Sequence, residues 1–260
     1  METRRKEKGF ELSSNTHDGW PAGWRAKIGT ITPSVDLVSC PEMRAIFPDG
    51  VLLLHTRVML KEVTPEALIK LADEVLYAGE LLGTAKPDVI SYSCTSSAIM
   101  KGAQYESSIV KRIADDTGAK STSMALSVVE ALNFLKVKKL VIVAPYLQDI
   151  VDAEEKYLES FGFDVIHSET LSSTDPLANA ARAPWENYHF ALDASRQAPD
   201  AEAIFISCGA LRSMEIIEHL ERTTMKPVVS SNLCTAWNCL RLADIKEPIY
   251  GYGSLLSRER

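Results

Sequence analysis

The chain has 260 residues, of which 46% are hydrophobic and 24% are charged, enough for one large or two modest globular cores. The formal net charge of -7 and the lack of a basic patch interleaved with aromatics argue against a nucleic-acid partner, and no apolar run approaches a membrane span. No apolar stretch follows the charged N-terminal residues, so we expect no secretory signal. Five cysteines are an odd number, so we expect no disulfide framework and a cytoplasmic location.

Residues 1–26 are mostly polar and predict a flexible N-terminal extension. After them, short apolar runs alternate with longer helical patterns, which predicts βαβ units and parallel sheets. The predicted strands are 28–32, 51–58, 88–93, 120–124 (a short strand or a loop), 139–145, 163–167, 203–207 and 227–230. The predicted helices lie within 34–47, 64–82, 100–117, 125–135, 149–160, 177–197, 214–222 and 232–242, with a loop at 168–176.

Two of the predicted strands end in the dipeptide Ser-Cys, at Cys94 in the first half of the chain and at Cys208 in the second. Small residues and then a helical pattern follow each cysteine. The carboxyl end of a parallel strand is where open α/β folds bind their ligands. A thiol at the start of the next helix meets free N–H groups and the helix dipole, which favour the thiolate. We therefore expect two reactive sulfur atoms that face each other in one site.

The two halves of the chain form a weak internal repeat. A second strand-to-helix unit follows each cysteine, at residues 120–127 and at residues 226–233, with little residue identity between them. We expect an α/β fold of two pseudo-symmetric lobes, each a parallel sheet flanked by helices. The first lobe is predicted to comprise residues 27–131 and 230–260, and the second residues 132–229. The site is expected in the cleft between them.

Six short stretches, in the same order along the chain, carry a resemblance to a known family. They are Ile-Gly-Thr-Ile-Thr-Pro at 28–33, Val-Thr-Pro-Glu at 63–66, Cys-Thr-Ser at 94–96, Ala-Pro-Tyr at 144–146, Ile-Ser-Cys-Gly at 206–209 and Pro-Val-Val-Ser-Ser at 227–231. Together they resemble the aspartate/glutamate racemase superfamily, in its branch of maleate cis-trans isomerases and arylmalonate decarboxylases. The resemblance implies a pseudo-symmetric two-lobed fold and cofactor-independent chemistry on a small carboxylate.

The two cysteines discriminate between the branches of this superfamily. Its racemases and maleate isomerases use a cysteine on each lobe, whereas its arylmalonate decarboxylases keep only the second. Having both Cys94 and Cys208 therefore favours an isomerase or racemase, in which one sulfur acts as base or nucleophile and the other as acid. Contacts to the substrate, including donors for its developing negative charge, are expected from Pro33, Ser34, Asp36, Thr95, Ser96, Tyr146 and Gly209.

The chain departs from the maleate isomerases after the first strand. These enzymes carry Ser-Asn-Thr after the first Pro-Ser, whereas here Ser34 is followed by Val35 and Asp36. An asparagine that would bind a carboxylate is therefore missing. A carboxylate at position 36 would instead repel an anion or attract an ammonium group. This departure argues against maleate and for a substrate with a positive group, unless Asp36 points to solvent.

Other functions stay open at this stage. They are an arylmalonate-type decarboxylase that retains the first cysteine, a role like that of a similar protein of ectoine breakdown, and a non-catalytic metabolite binder with ordinary thiols. We expect no cofactor and no metal site, and we expect a homo-oligomer. Cys40, Cys234 and Cys239 are interpreted as packing residues. Arg212 is interpreted as a solvated helix residue, although it could contact a second carboxylate.

Overall fold

The computed structural model describes residues 21–259, apart from the side chains of residues 72 and 73, as an α/β fold. Its strands are β1 Ala26–Pro33, β2 Val51–Val58, β3 Val89–Tyr92, β4 Lys120–Ser123, β5 Lys139–Ala144, β6 Asp164–Thr170, β7 Ala203–Ile206 and β8 Val228–Ser230. Its helices are α1 Ser39–Ile46, α2 Pro65–Gly83, α3 Thr95–Ile99, α4 Ala103–Thr117, α5 Met124–Leu135, α6 Gln148–Ser160, α7 Pro176–Ala181, α8 Pro184–Gln197, α9 Ile217–Thr224 and α10 Ser231–Leu242.

The strands form two four-stranded sheets that repeat the same topology. The strand orders are β2-β1-β3-β4 and β6-β5-β7-β8, and every neighbouring pair is parallel. Strand β3 of the first sheet therefore corresponds to β7 of the second, and β1 corresponds to β5. The predicted fold class of two pseudo-symmetric parallel lobes is confirmed.

Burial and helix capping explain why the sequence forms these elements. Strands β3 and β7 are buried at every residue, as central strands covered on both faces require, and this accounts for their unbroken apolar sequences. The last strand of each sheet ends in a serine whose side chain caps the next helix. Ser123 accepts from the backbone N–H of Leu126, and Ser230 accepts from that of Leu233. The second cap fixes where α10 begins, which places Ser231 beside the cleft.

Several predicted boundaries differ from the structure. The predicted helix 100–117 begins only at Ala103, because the backbone turns at Gly102 with a φ of 83°, and the short helix α3 before it was not predicted. The predicted helix 177–197 is divided at Pro184, which cannot donate a backbone hydrogen bond. The predicted loop 168–176 is shorter, since β6 continues to Thr170. Helix α9 begins at Ile217 rather than at residue 214, so a loop and not a helix follows Cys208.

The predicted N-terminal extension overlaps the first strand by one residue, because β1 begins at Ala26. Just before it, the backbone N–H of Arg25 donates to the carbonyl of Gly50 at 3.1 Å, and the Trp24 ring lies against Gly50. The rest of the extension, with Trp20, lies outside the described residues. The lobe boundaries stay a prediction, and α10 packs against α5, α1 and β3, as its assignment to the first lobe requires. Among residues 21–259, no helix is long and apolar enough to cross a membrane.

Buried hydrogen bonds join the two halves of the molecule. Glu42 on α1 accepts from the backbone N–H groups of Ser213 and Met214 at 2.8 and 3.1 Å and from the side-chain amide of Asn232 at 2.7 Å. A second buried carboxylate, Glu106 on α4, accepts from the hydroxyl of Tyr157 on α6 at 2.5 Å. These bonds hold the carboxyl edges of the two sheets together.

We expect Glu42→Ala to lower the free energy of unfolding by about 3 kcal/mol, because it leaves three buried donors without an acceptor. Glu42→Gln keeps one carbonyl oxygen for the two backbone N–H groups and should cost about 1 kcal/mol. Urea unfolding followed by circular dichroism measures both values. Equal losses for the two variants would contradict the role given to these hydrogen bonds.

Candidate active site

A small cavity lies where the carboxyl ends of β1 and β3 meet those of β5 and β7. Its volume is about 40 Å³, room for roughly three water molecules. Both Cys94 and Cys208 line it, together with Pro33, Val35, Asp36, Leu60, Val63, Ser93, Thr95, Ser96, Tyr146, Pro176, Asn179, Gly209 and Ala210. Eight of the nine residues predicted from the sequence to be catalytic or to bind substrate are therefore brought together, and only Ser34 is not.

Cys94 is the N-cap of the short helix α3 and is buried. Its Sγ lies 3.9 Å from the Oγ of Ser96. Burial raises the pKa of the Cys94 thiol, while hydrogen bonds from the hydroxyl and backbone N–H of Ser97 and from Ser96 lower it, and the negative charge of Asp36 raises it further. The thiol therefore lies against free helix donors but keeps its proton in the ligand-free protein.

Cys208 occupies a strained backbone conformation with a φ of 97°. Its backbone N–H donates to the Oγ of Ser231 at 3.1 Å, and its Sγ accepts from the backbone N–H of Ala210 at 3.3 Å. Burial raises the pKa of the Cys208 thiol to about 12, although the Tyr146 hydroxyl and Ala210 N–H oppose this shift, and Asp36 and Cys94 add to it.

These pKa directions correct the prediction of a thiolate at each cysteine. The prediction relied on the start of a helix, which exists at Cys94 but not at Cys208, where a loop of eight residues precedes α9. At both positions, loss of hydration outweighs the local donors. Both thiols are therefore protonated at pH 7 in the ligand-free protein.

Hydrogen-bond donors surround the sulfur atoms. Thr95 donates its hydroxyl to Ser231 at 2.9 Å, which ties α3 to α10. The backbone N–H groups of Thr95 and Ser96 lie in the first turn of α3 and therefore have no intrahelical acceptor. Tyr146 is buried, and its pKa is well above the usual value because of burial and the nearby Cys208 and Glu154, so its hydroxyl remains a donor. Together these groups can bind one carboxylate.

Ser34 is placed differently from its prediction. Its Oγ donates to the carbonyl of Leu60 and accepts from the backbone N–H of Leu60, each at 3.0 Å. The side chain therefore secures the loop after β2 and does not line the cavity. Leu60 and Val63 from that loop cover the cavity, and the backbone N–H of Val63 donates to the carbonyl of Thr174 at 3.1 Å, across the cleft.

Asn179 is a cavity residue that the sequence analysis missed. It lies on α7, is only 3% exposed, and its side-chain amide makes no hydrogen bond to another residue of the described chain. The sequence predicts a helix over 177–197, but its pattern does not distinguish Asn179 from the other polar residues of that helix. Asp175 followed by Pro176 is a helix-start signal, and Asn179 lies one turn later. This signal predicts where the helix begins, but it does not predict that the Asn179 side chain lines the cavity.

The remaining candidates lie away from the cavity. Cys234 and Cys239 are buried in the core, and Cys40 lies on α1 outside the cavity lining. Arg212 pairs with Glu215 at 2.5 Å and lines a separate open groove of about 750 Å³, which contains neither Cys94 nor Cys208. No group of three or more His, Cys, Asp or Glu side chains that could hold a metal ion occurs in residues 21–259.

A buried carboxyl group lies behind the cavity. Ser207, the residue before Cys208, donates its hydroxyl to Oε1 of Glu154 at 2.7 Å, while Oε2 has no hydrogen-bond partner among the described residues. Burial raises the pKa of Glu154 to about 8, with the Ser207 hydroxyl opposing the shift. Glu154 is therefore a neutral acid at pH 7, close enough to Tyr146 to influence its pKa.

We expect Cys94 and Cys208 of the ligand-free protein to react slowly with iodoacetamide at pH 7, because both pKa values are raised. The labelling rate of Cys208 should rise roughly tenfold per pH unit to above pH 9, in step with its thiolate fraction. Peptide mass spectrometry after timed labelling measures each cysteine separately, with free cysteine as the control. Rapid labelling at pH 7 would mean that the donors outweigh burial.

We expect stability to fall as pH rises from 5 to 8, in part because folded Glu154 keeps a proton that the unfolded chain releases near pH 4.3. Its share is about 1.4 kcal/mol per pH unit within that window. Glu154→Gln keeps an acceptor for Ser207 and removes the titration, so its unfolding free energy should fall less steeply. Urea unfolding at pH 5.5 and pH 8 measures the slope, with the exposed Glu159→Gln as a control that should retain it.

Comparisons with known proteins agree with this geometry. A maleate isomerase of Pseudomonas putida strain KT2440 is 28% identical over 243 residues, covering 89% of this chain and 97% of the relative. An arylmalonate decarboxylase of Bordetella bronchiseptica is 25% identical over 218 residues, covering 82% and 91%. The crystal structure of a Pseudomonas putida maleate isomerase with maleate has a TM-score of 0.84 at 25% identity, covering 89% and 97%. The sequence profile of the arylmalonate decarboxylase family matches residues 28–256, so the predicted resemblance is confirmed and the chain belongs to this family.

Proposed function

We propose that the protein is a cofactor-independent isomerase of a small carboxylate, with Cys94 and Cys208 as its two reacting groups. One observation carries the proposal: two thiols from corresponding strand ends of the two sheets line the same small cavity. The similarity to maleate isomerases supports isomerisation as the reaction class. A binder would have no use for a second buried thiol in the same cavity, where Cys94 makes Cys208 harder to ionise.

Two reaction routes are available to a pair of thiols. In the first, a thiolate removes the α-proton of the substrate and the other thiol protonates the opposite face, which inverts the centre. In the second, a thiolate adds to a double bond, the resulting single bond rotates, and the thiolate leaves. The first route uses both sulfur atoms symmetrically, in keeping with the matched positions of Cys94 and Cys208 in the two lobes.

Both routes place additional negative charge on the bound carboxylate, which preorganised donors must stabilise. We propose that these donors are the Tyr146 hydroxyl, the first N–H groups of α3 at Thr95 and Ser96, and the backbone N–H of Gly209. The amide of Asn179 is a further candidate, because it is buried at the cavity without another partner in the described chain. Pro33 and the side chains that cover the cavity exclude water from the reacting centre.

Decarboxylation of an arylmalonate is the second candidate, and the name of the family profile favours it. Cys94 argues against it, since a decarboxylase needs a single proton donor and would leave this thiol of the cavity without a role.

The protein is proposed to act in the cytoplasm as a homo-oligomer. All five cysteines are free, as expected in a reducing compartment. Exposed apolar side chains, among them Trp185 and Tyr250, offer surface that a second copy would cover.

We expect Cys94→Ala and Cys208→Ala each to lower turnover by about 10²–10⁴-fold without unfolding the protein. The assay follows deuterium incorporation from heavy water at the α-carbon of small carboxylates and the conversion of unsaturated diacids. Cys40→Ala is the control, and it should retain activity. Full activity of Cys94→Ala would replace the two-thiol mechanism with a single proton donor at Cys208, as in the decarboxylase alternative.

A further inference from the structure

The side chain of Asp36 forms part of the cavity wall beside both sulfur atoms. It is 8% exposed, and its negative charge contributes to the raised pKa of each thiol. Its Oδ1 accepts from the backbone N–H groups of Val38 and Ser39 at 2.8 and 2.9 Å. Its Oδ2 accepts from the hydroxyl of Ser39 at 2.5 Å. These donors fix the orientation of the carboxylate and stabilise its charge at the start of α1.

No cation compensates for this charge inside the cavity. None of the lining residues is Lys, Arg or His. Arg57 lies close by, but its guanidinium donates to the backbone carbonyls of Ser34 and Asp36, at 2.6 and 3.1 Å, and it does not line the cavity. A substrate with two carboxylates would therefore add two negative charges to a buried cavity that already holds one.

The carboxylate of Asp36 retains hydrogen-bonding capacity toward the cavity. Each carboxylate oxygen can accept about two hydrogen bonds, so Oδ1 is saturated and Oδ2 has one position left. That oxygen faces the backbone of the second lobe, where a Cβ on Gly209 would lie 3.5 Å from it. Because Asp36 and Gly209 line the same cavity as the two thiols, Oδ2 is the atom of Asp36 that can accept from a donor on a bound molecule.

We infer that Asp36 determines the substrate class: a small acid with a single carboxylate and a nitrogen that carries hydrogen, of which an α-amino acid zwitterion is the simplest form. This inference rests on the proposed isomerase function. The carboxylate binds to the donors near Tyr146 and α3, and the nitrogen binds to Asp36. The chemistry is then racemisation, in which a thiolate takes the α-proton and the opposite thiol supplies another.

The same contact removes one of the causes of the raised thiol pKa values, although burial is the larger cause. An ammonium group beside Asp36 offsets the negative charge that disfavours ionisation of Cys94 and Cys208. Binding of the substrate therefore promotes the thiolate that the reaction needs. No proton is gained or lost overall, because one sulfur accepts a proton and the other donates one in each turnover.

The first test measures substrate preference with Asp36→Asn. The panel of compounds is alanine, serine, their N-acetyl derivatives, maleate and citraconate, each incubated in heavy water. Mass spectrometry follows deuterium at the α-carbon, and NMR follows isomerisation of the diacids. The wild type should exchange the amino acids and leave the diacids unchanged. Asp36→Asn should lose at least tenfold in kcat/KM for the amino acids and gain isomerisation of a diacid. Asp175→Asn is the matched control, since Asp175 caps α7 through two backbone N–H groups but does not line the cavity.

The second test needs no substrate. Removing the charge at position 36 should accelerate iodoacetamide labelling of Cys94 and Cys208 several-fold at pH 8, while Asp175→Asn should not. An unchanged labelling rate overturns the inference whatever the panel shows, and so does a wild type that isomerises maleate as fast as Asp36→Asn does. The proposed function fails separately, if the conversion that is found survives both Cys94→Ala and Cys208→Ala.

Discussion

The site depends on the close approach of the two sheets at Gly209. A Cβ at this position would lie 2.6 Å from the Oγ of Ser39 and 3.2 Å from Oδ1 of Asn232, so a larger residue would displace these side chains and their hydrogen bonds. The carbonyl of Gly209 accepts from the amide of Asn232 at 2.9 Å. That same amide donates to Glu42, which in turn accepts from the loop after Gly209. A single buried chain of hydrogen bonds thus joins the loop after Cys208 to α1 and α10.

This constraint also accounts for the strained backbone at Cys208. A non-glycine residue with a φ of 97° costs on the order of 1–3 kcal/mol, which neighbouring bonds must offset. The backbone N–H of Cys208 donates to the hydroxyl of Ser231, which also accepts from the hydroxyl of Thr95 on α3. The strained turn directs the Cys208 sulfur into the cavity. The start of a helix at this position, like the one at Cys94, would have given the sulfur a different orientation. The pseudo-symmetry of the sheets is therefore broken at the reacting atoms.

The sequence predicted most of the framework because its signals are local. Alternation of apolar runs and helices indicated the parallel sheets, and Thr64 followed by Pro65 marked the start of α2, where the Thr64 side chain caps the helix. The Ser-Cys endings and the six stretches located the reacting groups. Contacts between distant segments were not predictable in this way. The bond between Ser34 and Leu60 and the amide of Asn179 depend on how loops from different lobes meet. The thiol pKa values depend on burial, which no local pattern encodes.

Charge balance is the remaining link between the fold and the chemistry. The cavity contains two thiols, one carboxylate and neutral donors, so the charge of Asp36 adds to the burial that disfavours a thiolate there. Glu154 contributes to this balance by staying neutral behind Ser207, since its ionised form would add a second negative charge near Tyr146. None of the residues that line the cavity is Lys, Arg or His, so the proposed mechanism takes the compensating positive charge from the bound substrate. In that proposal, recognition of the substrate and ionisation of the thiol are a single event.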